Sequence, residues 1–214
     1  MSRSDQSSIQ LADWQSSFVE QFISDNKRRT RLVARAGMGK TIVTRYAAHE
    51  VLRQQGNDYA LVISHNRTLV EHWRGSTGNG DLILGTSIDD LRDEKASGLS
   101  VSSHNLHTSD LGRDILALGK DASFLVIVDE AHDAYPTLDE YVGRLLAANA
   151  QSRALALFTP YQAIKGSDWG TDVDAEYFFQ PDVIALPESR MEVARLSPSH
   201  SVLQSLLLRP GKLV

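Results

Sequence analysis

Apolar positions along the chain follow a helical rhythm in some stretches and run unbroken in others. In "SIQLADWQSSFVEQFISD" (8–25), Leu11, Trp14, Phe18 and Phe22 fall at helical spacing with Val19 and Ile23 beside them. This predicts an amphipathic helix with one buried stripe. The polar run "NKRRTR" follows, then "LVARAGMGK", which reads as a strand feeding a loop. From Thr41 to Gln54, Ile42, Val43, Tyr46, Ala47 and Val51 form the inner face of a second helix, and Gly56 stands where that helix should end. "YALVIS" (59–64) is an unbroken apolar run suited to a strand buried on both faces. A helix from Arg67 to about Trp73 comes next. Weaker strands are expected at "LILG" (82–85) and "LSVSS" (99–103), separated by the charged turn-helix "DDLRDEK". A helix over 108–119 leads to "FLVIVD" (124–129), the most strand-like segment of the chain. A helix over roughly 137–149 and the strand "ALALF" (154–158) close the regular pattern.

Strands that are apolar throughout, alternating with helices, predict an α/β fold with a mostly parallel sheet covered by helices on both faces. No repeat of 20–50 residues breaks that order. After Pro160 the pattern loosens. "GSDWGTDVDAEYF" reads as loop, "DVIAL" as one further strand, and the end as helix up to Pro210. The expected organisation is one domain over 1–165, with 166–214 as its extension or the start of a linker.

Composition narrows the class. The 214 residues are 42% apolar and 23% charged, ordinary for a globular protein. The longest apolar runs are far too short to span a bilayer, so no membrane is expected. "MSRSDQSSIQ" lacks the apolar core of a secretory signal. With no cysteine, disulfides and thiolate metal sites are excluded and a cytoplasmic location is expected. A net charge of −5 argues against a polycation that coats nucleic acid, but leaves room for a local binding face. The histidine pair in "HNLH" (104–107) lacks a third ligand and reads as surface or core, not as a metal site.

The chemistry begins at "ARAGMGKT" (34–41), which satisfies [A/G]-x-x-x-x-G-K-[S/T] between a predicted strand and a predicted helix. The glycines let main-chain amides of Ala36, Gly37, Met38 and Gly39 turn inward around a β-phosphate, and the starting helix adds the positive end of its dipole. Lys40 would reach the β- and γ-phosphate oxygens, and the Thr41 hydroxyl would complete a Mg²⁺ shell. The plainer reading is a glycine-rich helix cap. A second segment decides against it. "FLVIVDEAH" ends the strongest strand with Asp129-Glu130 at its C-terminal edge, where open α/β sheets bind ligands. Asp129 is placed to hold Mg²⁺ through water, and Glu130 to deprotonate an attacking water. Acidic residues also favour helix N-termini for dipole reasons. A phosphate loop together with this pair nevertheless reads as a nucleoside triphosphate site.

"ARAGMGKT" and "VDEAH" resemble motifs I and II of superfamily 2 helicases and translocases of the DEAH-containing branch. "LADWQSSF" is similar to the glutamine motif of that family, and "LVISHNRTLVEHW" (61–73) to motif Ia. The resemblance covers about residues 9 to 165 and implies the first of two RecA-like domains, with ATP and Mg²⁺ as cofactors and DNA or RNA as partner. It implies that Gln15 reads adenine, that His132 couples the site to motif III, and that Asn66 and Arg67 touch nucleic-acid phosphates. Ser103, in "SVSSHNL", is a further backbone-contact candidate. Motif III departs from the usual Ser/Thr-Ala-Thr: Leu157-Phe158-Thr159 precedes Pro160, so only Thr159 carries over. "TPYQ" (159–162) is reminiscent of Swi/Snf-type translocases. Nothing after it resembles the arginine-bearing motifs of a second RecA-like domain, which is therefore expected from elsewhere in a longer chain or from another subunit. The alternative function is a nucleotide-gated protein-binding module with little motor activity. "KRRTR" (27–31) reads as a solvated turn. Trp73, four residues after Leu69, reads as packed beneath its helix, with base stacking as the other option.

Overall fold

The computed structural model describes residues 11–75, 82–131, 136–159 and 174–179. The expectations for His132, for Pro160, for "DVIAL" and for the C-terminal helix lie outside the described residues. Described helices are α1 (Asp13–Asp25), α2 (Lys40–Gln55), α3 (Arg67–Gly75), α4 (Ile88–Arg92), α5 (Ser103–Thr108), α6 (Asp110–Leu118) and α7 (Pro136–Ala148). Described strands are β1 (Arg29–Ala34), β2 (Tyr59–Ser64), β3 (Leu84–Gly85), β4 (Gly98–Ser102), β5 (Phe124–Val128), β6 (Arg153–Phe158) and β7 (Ala175–Phe179).

The strands form one sheet in the order β3-β4-β2-β5-β6-β1-β7, and every described pairing is parallel. A strand's side chains alternate between faces, so a parallel sheet needs apolar residues at consecutive positions and a helical layer on each side. Leu61, Ile63, Val126 and Val128 point to one face, against Ile88, Leu91, Ile115, Val142 and Leu145 of α4, α6 and α7. Val62, Leu125, Ile127 and Leu155 point to the other, against Phe18, Phe22, Val43, Ala47 and Val51 of α1 and α2 and Trp73 of α3. No helix among the described residues is long and apolar enough to cross a membrane.

Four sequence expectations need correction. The segment 166–178, read as loop, contains most of β7, which pairs with β1 from Thr30↔Ala175 to Ala34↔Phe179. The run "KRRTR" is not a solvated turn. Arg28 donates to the carbonyls of Leu146, Asn149 and Ser152, and Arg29 pairs with Asp139 of α7 at 3.0 Å. Arg31 is only 4% exposed, inside β1, and forms an ion pair with Glu176 of β7. The helix expected over 108–119 is present as α6, Asp110–Leu118, but a short helix that was not expected, α5, precedes it. Ser102 caps α5 by accepting from the Asn105 N–H at 3.2 Å, and α5 ends at Thr108 before α6 begins. Ser103 therefore opens a helix and is 6% exposed, rather than lying on a strand-end loop. The strand expected over 82–85 is limited to Leu84–Gly85.

Candidate nucleotide site at the C-terminal sheet edge

The strand order places β6 between β1 and β5, and the register aligns their ends: Val33 opposes Phe158, and Ala156 opposes Val128. Because all three strands run the same way, the loop after Ala34, Thr159 and Asp129 emerge at one rim. Strand spacing sets β1 and β5 about 10 Å apart. That is a gap to be filled by a ligand and not by direct side-chain contact.

On the β1 side, the backbone is built to present amides. Gly37 and Gly39 adopt φ of 80° and 82°, left-handed geometry that residues with a Cβ rarely take. Gly39 is the N-cap of α2 and supplies no side-chain cap. The first helical bond runs from the Val43 N–H to the Gly39 carbonyl at 3.0 Å, which leaves the Lys40, Thr41 and Ile42 N–H groups ahead of the helical ladder. Such a terminus favours an anion. Lys40 is 9% exposed and donates from Nζ to the Ala34 carbonyl at 2.9 Å. Burial pushes its ammonium below the usual lysine value, while the charges of Glu130 and then Asp129 pull it back up. The lysine thus stands in the field of both carboxylates. Thr41 is half-buried at the start of α2, and Ala36 and Gly37 are exposed.

On the β5 side, Asp129 is 8% exposed and its carboxylate is held at both oxygens. Oδ1 accepts from the Glu130 N–H at 3.0 Å, and Oδ2 from the indole N–H of Trp73 at 2.7 Å. The Asp129 N–H continues the ladder to the Ile63 carbonyl at 2.9 Å. Glu130 then turns off the strand with φ 48°. For an L-residue this left-handed turn costs roughly 1–2 kcal/mol, and such strain gathers at functional sites. The oxygen set of Thr41, Asp129 and Glu130, facing an ammonium and helix amides, fits a hard cation carrying phosphates.

Gln15 is 8% exposed and its amide is committed within the chain. Oε1 accepts from the Ala12 N–H at 2.9 Å, and Nε2 donates to the Met38 carbonyl at 3.2 Å. It braces the phosphate loop. A Cβ built on Gly39 would come within 2.8 Å of Gln15 Nε2, so the loop and α1 meet closely there.

Asn66 and Arg67 lie along the same edge, one strand beyond β5. Asn66 caps α3, its Oδ1 accepting from the Leu69 N–H at 2.9 Å. Arg67, Val70, Glu71 and Arg74 form one wall of a groove of ≈ 390 Å³, whose opposite wall includes Ser100, Ser102 and Asn105. Ser103 does not line this groove, whereas Ser102 before it and Asn105 two positions after it do. Sequence reasoning missed Trp73 as part of the nucleotide site. It is fully buried, which excludes base stacking in this conformation. Its spacing from Leu69 signalled burial, but no local pattern signals a partner 56 positions away.

A parallel sheet with a glycine-turned loop opening a helix and an acidic strand end on the same rim has the architecture of a RecA-like P-loop domain. The chain belongs to the type III restriction enzyme res subunit family, whose model matches residues 8–161. Family and fold together make it a superfamily 2 motor domain of the helicase or translocase type, the first RecA-like domain. Among solved structures it is similar to the UvsW helicase from bacteriophage T4, with a TM-score of 0.55, 14% identity, and coverage of 80% of this chain and 61% of that one. The Pyrococcus furiosus Hef helicase domain matches with a TM-score of 0.54 and 18% identity over 86% of this chain and 45% of its own. The DUF1998 helicase MrfA bound to DNA matches with a TM-score of 0.58 and 12% identity over 82% and 26%. The chain thus spans less than two thirds of each of these three structures. No curated protein matches the sequence significantly.

Proposed function

We propose that this domain binds ATP with Mg²⁺ between the loop 34–41 and the carboxylates after β5, and that its hydrolysis drives movement along DNA or RNA. The reading rests above all on the loop after β1 and the carboxylates after β5 emerging at one rim of the sheet, with β6 between them. The amides of Ala36 to Thr41 surround the β-phosphate, and Lys40 leaves the Ala34 carbonyl to contact the terminal phosphates. Thr41 and Asp129 would hold the metal, Asp129 through water, and Mg²⁺ would supply positive charge against the phosphates. Glu130 orients the attacking water and takes its proton. Gln15 holds the loop in shape. Reading adenine would require its amide to release Met38. His132 remains the proposed link to Thr159.

Asn66, Arg67 and Ser103 are proposed to act from the α3 groove and its neighbouring α5 on nucleic-acid phosphates, contacts that position without reading sequence. Turnover in this chain by itself should be slow, because the arginine that stabilises the transferred phosphoryl group is proposed to come from a second RecA-like domain. The division at residue 165, with 166–214 extending this domain or leading to that second one, stays part of the proposal. A reducing cytoplasm suits a chain without cysteine. Neither the family match nor the fold favours a nucleotide-gated binding module.

The nucleic-acid half of the proposal is tested by titrating labelled single-stranded and duplex DNA and RNA at several salt concentrations. Each phosphate neutralised contributes about −0.9 to the slope of log affinity against log salt for duplex DNA. Arg67→Ala should weaken binding alike for all sequences and reduce that slope by about one. A wild-type protein that binds no nucleic acid at low salt, or an unchanged slope in the variant, would contradict it.

A further inference from the structure

The Trp73–Asp129 hydrogen bond links α3 to the candidate nucleotide site. Trp73 is fully buried and its indole N–H can only donate. It meets Asp129 Oδ2 at 2.7 Å in a buried setting, where a directed bond to a carboxylate is strong. The helix that carries it is tied on two further sides. Arg45 of α2 donates to the Trp73 carbonyl and, at 2.7 Å, to the Leu82 carbonyl. Ser100 of β4 donates to the Val70 carbonyl at 3.1 Å. The backbone of α3 that carries the indole is therefore held by α2, the helix that also carries Lys40, and by β4 beside the groove.

This fixes more than burial. With Oδ1 engaged by the Glu130 N–H and Oδ2 by Trp73, the plane of the Asp129 carboxylate is set, and each oxygen keeps a lone pair for a water. Without the indole, the carboxylate can rotate about its terminal torsion, which is broad. Partners of this outer kind commonly change metal affinity 10–100-fold when removed.

We propose that Trp73 is a positioning residue that presets the Asp129 carboxylate for the hydrated Mg²⁺ of the nucleotide. The inference rests on the nucleotide-site reading above and concerns only the metal-dependent part of binding. Phenylalanine keeps an aromatic ring but is smaller and lacks the N–H, so Trp73→Phe removes the bond with some packing, and the metal-free measurement separates the two.

The experiment measures the affinity of a fluorescent ATP analogue for wild type and Trp73→Phe, once with Mg²⁺ and once with EDTA. The variant should lose about 10–100-fold with Mg²⁺ and stay within about twofold of wild type in EDTA. Equal affinities in both buffers, or equal losses in both, would overturn the proposal, since damage to packing alone does not distinguish the two. Wild type that binds the analogue in neither buffer would overturn the nucleotide reading itself, a separate outcome. Should Trp73→Phe fail to fold, the wild type supplies a second readout. Its three tryptophan indole resonances can be assigned with Trp14→Phe and Trp169→Phe. The Trp73 indole proton should shift on saturation with Mg·ATP and far less with ATP in EDTA. A resonance unmoved by saturating Mg·ATP would overturn the proposal.

Discussion

Glu130→Gln should lower the single-turnover rate of ATP hydrolysis about 10²–10⁴-fold, the usual contribution of a positioned general base. The substitution keeps the shape of the side chain and removes its capacity to take a proton. It leaves the phosphate loop, Lys40 and the indole-held Asp129 untouched, so Mg·ATP affinity should change only a few fold. The split between rate and affinity is the informative part. Glu130 already sits in left-handed backbone (φ 48°), so a glutamine meets no new strain there. Phosphate release with protein in excess over ATP measures the rate, and the same samples give the affinity. A rate within a few fold of wild type would remove Glu130 from the base role.

The second large effect concerns stability. Glu176→Ala should destabilise the fold by about 3–5 kcal/mol, because removing one partner leaves the other charge buried without its counterion. Arg31 is 4% and Glu176 7% exposed at the β1–β7 pairing, and the Arg31 guanidinium lies 5.6 Å from the centre of the Phe158 ring. The cost is that of stranding a cation, not the net worth of the pair. Replacing both with apolar residues of similar volume, Arg31→Met with Glu176→Leu, should therefore recover most of the loss. Urea unfolding of the single and double variants measures both. A loss under about 1 kcal/mol in Glu176→Ala would show that the pair is not sealed from water. The effect also bears on function, since β7 covers the outer edge of β1, the strand that launches the phosphate loop.

How much of this was legible in the sequence follows from where the determinants lie. The phosphate loop and the Asp129-Glu130 pair could be read because each is a contiguous motif whose strand–loop–helix setting is local. The parallel sheet could be read because β2 and β5 are apolar at successive positions, as only strands covered on both faces are. β7 was hidden by Glu176, a carboxylate in the middle of a strand, which is tolerated only because Arg31 stands opposite. The arginines of "KRRTR" looked solvated for the matching reason: their acceptors sit at Asp139, Leu146, Asn149, Ser152 and Glu176, more than a hundred positions on. Gln15 stood out by its place before the loop, but the sequence held no sign that its amide would close on Met38. Trp73 is the same lesson at the site itself. Periodicity finds what is buried, while the partner of a buried donor is decided by topology.

The central claim is that amides, one ammonium and two carboxylates face each other across a strand-wide gap sized for a magnesium-bound triphosphate. Calorimetric titration of Mg·ATP into wild type and Lys40→Ala tests it most directly. Losing a charge-assisted hydrogen bond of about 1.5–3 kcal/mol predicts affinity weakened about 10–100-fold in the variant. Equal affinity in the two proteins would contradict the account.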